Sequence, residues 1–167
     1  FTTNGIVLNG AGQASVAINN IIMDCGNGIT LSGGLQNGSI ARKNKILRCT
    51  TGINIAFDNI VASYGCIENL IIDCNTGVTF STSASVDEYQ IIIYKNAFSN
   101  CDTAVNAGGT DETLIEGRIK LLDHNIYDVR GGQNLAETEN GANQYTTLAG
   151  WQAVCGHDDH SIETSDI

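Results

Sequence analysis

"NNIIMDCGNGITL" (residues 19–31) reads as a short strand, a turn and a second short strand, and the chain then says nearly the same thing three more times. "NKILRCTTGINI" follows at 44–55, "NLIIDCNTGVTF" at 69–80 and "NAFSNCDTAVNA" at 96–107. Aligned on Cys25, Cys49, Cys74 and Cys101, the copies stand 24, 25 and 27 residues apart. Five residues before each Cys is an Asn: Asn20, Asn44, Asn69 and Asn96. Three residues after it is a small residue: Gly28, Gly52, Gly77 and Ala104. An apolar–polar–apolar triplet closes each copy: Ile29-Thr30-Leu31, Ile53-Asn54-Ile55, Val78-Thr79-Phe80 and Val105-Asn106-Ala107. A partial copy opens the chain, with Gly5 before Ile6-Val7-Leu8. A decayed one closes the series, with Asn125 and Ile126-Tyr127 but Arg130 at the Cys position. Features that recur together at a period of roughly 20–30 residues mark a solenoid.

The repeated segments are short, β-branched and alternating, with Gly, Asn, Ser and Thr between them, which is the signature of strands rather than helices. Leucine does not dominate, and no segment holds a helical stripe across three turns, which argues against leucine-rich, ankyrin and helical-hairpin repeats. The expected architecture is all-β: a coil of short strands, one turn per repeat, stacked as parallel sheets about 4.8 Å apart. Equivalent residues then form ladders. Ile29, Ile53, Val78 and Val105 make one interior stack, Leu31, Ile55, Phe80 and Ala107 a second, and Ile22, Ile46, Ile71 and Phe98 a third.

The polar ladder has a matching reason. Asn tolerates the left-handed region, and its amide can bond the amide of the next coil. Gly is expected at the tight corner before the next strand, and Cys is small and apolar enough to lie buried beside it. One residue earlier runs Asn19, Lys43, Glu68, Lys95 and His124, read as an exposed ion-pair ladder of a few tenths of a kcal/mol per pair, on the order of what such pairs contribute. Side chains stacked in parallel register point the same way, which strains a disulfide, so the four ladder cysteines are expected as buried thiols. Cys66 and Cys155 lie off the ladder and stay unassigned.

The pattern N-x-[IF]-x-x-C-x-x-G-[IV]-x-[ILF] resembles the right-handed parallel β-helix repeat of pectate-lyase-like proteins, over roughly residues 4–130. The tail "LAGWQAVCGHDDHSIETSDI" resembles the short helix and G-x-D-x-x-S-I segment that follows the last coils in bacterial β-helix proteins. Trp151, Gly156, Asp158, Ser161, Ile162 and Asp166 carry that match, and Ile167 stands where the family has Pro. The resemblance implies a right-handed parallel β-helix of about five coils in a single domain, 1–167, with coils at 4–130 and a loop and helix segment at 131–167. It implies little about activity, because the scaffold carries lyases, hydrolases, epimerases, tailspikes and adhesins.

Composition narrows the partners. The net charge is −10 and hydrophobic residues make up 42% of 167. That suits one elongated core and disfavours nucleic acid or an anionic membrane. No apolar run is long enough to span a bilayer, so membrane insertion is not expected. The stretch "FTTNGIVL" enters in mid-coil and "TSDI" stops where the family continues, so the expectation is a piece of a longer chain from an extracellular, cell-surface or virion protein.

Site expectations follow from the ladders. In the resembled family the substrate groove runs over the sheet after the Gly corner, which here presents Thr30, Asn54, Thr79 and Asn106. These can hydrogen-bond sugar hydroxyls but have no pKa near neutrality. A hydrolase wants paired carboxylates there. A lyase wants a cation and a base. Acidic residues gather one step further, at Asp58, Asp87, Glu88, Asp111 and Glu112, and three stacked loops of that chemistry would suit Ca²⁺. Arg118, Lys120 and His124 are the base candidates. In "GHDDHSIE", His157, Asp158, Asp159 and His160 are metal-ligand types, but neighbours on one turn rarely converge on an ion without help from elsewhere. Asp158 and Ser161 are read instead as turn caps bonding local amides. Thr146 or Thr147 is expected to cap a short helix whose Leu148 and Trp151 cover the solenoid side.

Two functions stand at this point. One is a carbohydrate-binding or carbohydrate-active β-helix directed at an acidic polysaccharide, as a lyase or glycoside hydrolase if it is an enzyme. The other is a structural or adhesive β-helix, such as part of a tailspike, where it would be oligomeric. The insertions after Phe80 and after Ala107 are expected to leave one common edge.

Overall fold

A computed structural model describes residues 2–9, 14–32, 38–56, 63–81, 90–108, 119–128, 133–138 and 141–164. Each turn of the chain makes three strands. They are β1 (Thr2–Asn9), β2 (Val16–Ile18) and β3 (Ile21–Met23), then β4 (Cys25–Ser32), β5 (Ile40–Arg42) and β6 (Lys45–Leu47). Next come β7 (Thr51–Ala56), β8 (Ser63–Ile67) and β9 (Leu70–Ile72), then β10 (Thr76–Ser81), β11 (Gln90–Tyr94) and β12 (Ala97–Ser99). The last full set is β13 (Thr103–Gly108), β14 (Ile119–Asp123) and β15 (Ile126–Asp128). Every third strand pairs in parallel, giving a first sheet β1-β4-β7-β10-β13, a second β2-β5-β8-β11-β14 and a third β3-β6-β9-β12-β15. The molecule is thus a parallel β-helix of the right-handed type. Five strands stacked in the second sheet are separated by four full turns, so the solenoid has about 4 turns rather than about five.

The parallel ladder continues past residue 130. β16 (Asn134–Thr138) extends the first sheet, β17 (Asn143–Tyr145) folds back antiparallel on it, and β18 (Ile162–Thr164) returns to extend the third sheet beside β15. Between them lies helix α1 (Leu148–Cys155). Thr147 Oγ1 accepts from the Gly150 amide at 3.2 Å at its start, and Gly156 ends it in the left-handed region. Trp151 and Cys155 are buried and Leu148 packs partly buried against the core.

The three interior stacks form as expected. Ile29, Ile53, Val78 and Val105 are in register, as are Leu31, Ile55, Phe80 and Ala107, and all eight are buried. The third stack runs Ile22, Ile46, Ile71, Phe98 and then Tyr127, whose ring stacks on Phe98 at 5.5 Å. Cys66 belongs to the interior row of the second sheet, Ala17–Ala41–Cys66–Ile93–Leu122. All six cysteines are buried thiols.

Two expectations about the corners change. The left-handed residues are not the ladder asparagines but their predecessors Asn19, Lys43, Glu68, Lys95 and His124, together with Asp24, Arg48, Asp73 and Asn100 before each Cys. One left-handed residue turns the chain from the second sheet to the third, and another turns it from the third to the first. Outside Gly, Asn and Asp that conformation costs roughly 1–2 kcal/mol per residue, so the rows tolerate Lys, Glu, Arg and His at a price the packed coil absorbs.

The repeated glycines are also not corner residues. Gly28, Gly52 and Gly77 lie within β4, β7 and β10. A Cβ on Gly52 would come 2.5 Å from the Gly77 carbonyl oxygen and 2.7 Å from Ile71 Cγ2. Glycine is there because the coil above and the third-sheet apolar stack leave no room.

The asparagine ladder itself is as read, and longer. Asn20, Asn44, Asn69 and Asn96 each donate both backbone N–H and side-chain Nδ2 to the Oδ1 of the next asparagine at 3.0–3.2 Å, ending at Asn125. The second hydrogen of Nδ2 reaches back to a second-sheet carbonyl, as from Asn69 to Ala41 at 2.9 Å. No amide in the interior of the stack is left without a partner of opposite sense, which is what allows five polar side chains beside an apolar core.

Candidate functional site

The outward face of the first sheet brings the four expected sugar-binding residues into one row. Thr30, Asn54, Thr79 and Asn106 are successive register partners, flanked by Val7 on one side and by Glu137 and Gln144 on the other. A second row runs beside it: Asn4, Asn27, Thr51, Thr76, Thr103 and Asn134. Side-chain bonds show that the rows share a face. Asn4 Oδ1 accepts from Asn27 at 2.9 Å and from Thr30 at 3.2 Å. Glu137 accepts from Asn106 at 3.0 Å and Asn134 at 2.9 Å.

The second row and Glu137 were not foreseen. The signal was present in Thr51, Thr76 and Thr103, each two residues after its Cys. Glu137 was hidden because no Cys precedes β16 to align it. Its carboxylate is the sole acidic side chain among the described members of these two rows. Three amides hold it, Gln144 being the third at 3.4 Å. No carboxylate faces it across the sheet at those positions, so the acid–base pair of a glycoside hydrolase is not assembled there.

Asp58, Asp87, Glu88, Asp111, Glu112 and Arg118 all lie outside the described residues, and with them the three-loop Ca²⁺ reading. Lys120 lies exposed on β14 and His124 at the corner after it; neither belongs to the first sheet. The insertions after Phe80 and after Ala107, expected to leave one common edge, fall on 82–89 and 109–118, which lie outside the described residues.

The left-handed corners carry two surface ladders. At the corner between the second and third sheets, Glu68 pairs with Arg42 at 3.0 Å and Lys43 at 3.7 Å. At the corner before Cys, Arg48 chelates Asp24 at 2.8 Å, and Asp73 accepts from Asn100 at 2.7 Å. A shallow hollow of about 210 Å³ lies here, lined by Arg48, Asp73, Thr50, Asn75 and two of the cysteines. These pairs are exposed and screened by solvent, so they contribute little to stability.

The tail corrects the turn-cap reading. Ser161 and Asp158 do not serve local amides; they close the asparagine ladder. The Asn125 amide donates to Ser161 Oγ at 2.7 Å and Asn125 Nδ2 donates to Asp158 Oδ1 at 3.4 Å. Ser161 Oγ also donates to Asp158, and Tyr127 donates its hydroxyl to Asp158 Oδ2 at 2.7 Å. Burial pushes the Asp158 carboxyl up, while its three side-chain donors pull it back. The motif therefore replaces the sixth asparagine that the next coil would have offered.

His160 leaves this turn outward and meets the last left-handed corner. Its Nδ1 lies 2.7 Å from Asp123 Oδ2, and His124 Nδ1 lies 3.1 Å from the same oxygen. Asp123 Oδ1 accepts from the backbone amides of both histidines at 2.8 Å. Partial burial opposes ionisation of Asp123, but the bonds from His160 and the two amides bring its pKa to about 2. The hydrogen bond and then the charge of Asp123 raise His160. Sequence reading missed Asp123, although it directly precedes His124 in the charged ladder. His157, Asp158 and Asp159 do not join this group: Asp158 is committed to Tyr127 and Asn125.

Among the described residues no helix is long and apolar enough to cross a membrane. Comparison with family models, curated proteins and solved structures returns no match.

Proposed function

We propose that this chain binds a polysaccharide along the outward face of the first sheet and does not cleave it there. One observation carries the reading: two adjacent in-register rows of hydroxyl and amide side chains, Asn4 to Asn134 and Thr30 to Asn106, repeat turn after turn on a rigid sheet. Thr and Asn both donate and accept, as sugar hydroxyls do, and the parallel repeat of about 4.8 Å offers similar groups to successive parts of a chain molecule, save at Thr103 and Thr30, which are buried. The rows hold no Lys or Arg and the protein carries a net charge of −10. A neutral polysaccharide therefore suits the face better than the acidic one expected from sequence. An extracellular or cell-surface setting belongs to the same proposal.

The test is retardation in native gels cast with neutral or uronate polysaccharides. Wild-type protein is expected to be retarded by a neutral polymer, and an Asn54→Ala, Thr79→Ala double variant to migrate freely while keeping its thermal transition. No retardation by any polymer, or retardation unchanged in the double variant, overturns the reading and leaves a structural or adhesive segment. Release of reducing or unsaturated ends, with or without Ca²⁺, would show catalysis outside this face.

A further inference from the structure

We propose that Asp123, His124 and His160 form a binding site for one divalent transition metal of the zinc class, which fastens the C-terminal segment to the last full turn of the solenoid. The inference is independent of the polysaccharide reading, since the cluster lies at the corner between the second and third sheets. The three residues offer Oδ2, Nδ1 and Nδ1, and one ligand atom from each lies within 4.8 Å of the other two. Two imidazole nitrogens and a carboxylate oxygen are a donor set for Zn²⁺, Co²⁺ or Ni²⁺, not for Ca²⁺ or Mg²⁺, which take oxygen.

The site is built rather than accidental in three respects. First, its members come from two chain segments, 123–124 and 160, brought together because β18 pairs with β15 and Ser161 closes the asparagine ladder. Second, the carboxylate is pre-oriented. Oδ1 is held by the amides of His124 and His160, which leaves Oδ2 directed at both rings. Orientation of a ligand by groups behind it is what a metal site requires. Third, the rings are already grouped. The His124 and His160 centroids are 5.0 Å apart, and Tyr94 backs His124 at 5.2 Å.

Ligand atoms on tetrahedral zinc, each at about 2.0–2.1 Å from the ion, lie about 3.3 Å from one another. The present Nδ1–Oδ2 separations are 2.7 and 3.1 Å, so insertion needs a small outward swing of the exposed His160 ring. The ion takes the place of any proton on the two Nδ1 atoms, which passes to solvent, and each neutral ring carries its hydrogen on Nε2. Three protein ligands leave a fourth position to water. Asp159, the residue before His160, adds negative charge nearby without joining the set.

The experiment is titration of the metal-free protein with ZnCl₂ by calorimetry, together with the visible absorption of bound Co²⁺. Wild type is expected to take up one ion and to melt higher with zinc than without. Replacing either exposed ring, by His124→Ala or His160→Ala, is expected to weaken uptake by about tenfold or more and to remove the zinc-dependent rise in Tm. Asp123→Asn, which keeps the shape and the Oδ1 acceptor, is expected to weaken it too. His157→Ala is expected to bind as wild type. Absence of uptake by the wild type overturns the proposal. So does uptake that persists in both His124→Ala and His160→Ala, which would place the ion on other groups such as the thiols.

Discussion

Tyr127 hands its phenolic hydrogen to Asp158 Oδ2 across 2.7 Å, and neither side chain is reached by water. One residue belongs to the last full turn and the other to the segment that follows the helix, so this bond joins the tail to the solenoid interior. Asp158→Ala would strand the Tyr127 hydroxyl and one hydrogen of Asn125, with a loss of about 3 kcal/mol or more. Tyr127→Phe removes one donor from a carboxyl that still has two, and is expected to lose about 1–2 kcal/mol. Urea unfolding of both variants checks the order; equal losses would mean that the buried bond is not what holds the tail.

Glycine three residues after the ladder cysteine is a matter of space, which gives a prediction of opposite sign to ordinary strand propensity. Gly52→Ala is expected to destabilise by about 2–3 kcal/mol through overpacking, although Ala is normally the better strand residue. Ala104→Gly, at the equivalent place one coil beyond Gly77, is expected to lose only about 0.5–1 kcal/mol. Thermal denaturation of the two variants separates crowding from propensity.

Position within the asparagine stack should set the loss from truncation. Asn69→Ala removes the acceptor of two Asn44 hydrogens and the donor to Ala41 and Asn96. About 2–4 kcal/mol is expected, since buried partners are left unpaired. Asn20→Ala lies at the open end, where water replaces what is lost, and should change stability by less than about 1 kcal/mol. A uniform loss along the ladder would refute the buried-partner account.

The cysteines make a chemical prediction. Burial pushes Cys74 and Cys155 to about 12 and Cys101 to about 11, and Cys66 higher still. At neutral pH the thiolate that reacts is scarce as well as covered. Mass spectrometry after a brief pulse of iodoacetamide is expected to show these four unmodified in native protein and alkylated in guanidinium. Rapid native labelling of Cys101 would mean that the last coils open readily.

The docking of His160 on Asp123 has a defined pH window in metal-free protein. The Asp123 carboxyl is lowered from 3.8 to about 2, so its contribution is present above 3.8 and is lost as pH falls through about 2. His160 is raised above 6.5, so its contribution is full below 6.5 and is lost as pH rises through the folded value. Protection of the His160 and Ile162 amides from exchange should therefore be greatest between these limits. His160→Asn should remove the alkaline fall; an unchanged fall would show that the His160 imidazole does not cause it.

The repeat was legible because stacking copies it. Ile53 sits beside Ile29 in space for the same reason that it follows it in sequence at a fixed interval, so alignment on Cys recovered the interior rows, the asparagine ladder and the Thr30–Asn106 row. Misreadings arose where the reasoning used one residue's usual preference instead of its neighbours. Asn and Gly favour left-handed corners, but Lys43, Glu68, Arg48 and His124 occupy them. Gly52 is small because of Ile71. Asp123 and Glu137 were missed, and Ser161 was assigned to local amides, for another reason. Each has at least one partner more than 30 residues away, in the part of the chain where the Cys mark has disappeared and nothing local announces the pairing.

From β3 to β13 the variation in repeat length falls between the first and second sheets, because the other two corners are each turned by one left-handed residue with no slack; only past β15 does the third-to-first corner lengthen, by two residues. A residue added between β5 and β7 would shift a ladder, whereas the first-sheet registers hold while the spacing of successive Cys residues grows from 24 to 27. The scaffold thus divides its sequence into a metered part and an unmetered margin. New recognition can be written into that margin, or erased from it, without asking the frame to fold differently.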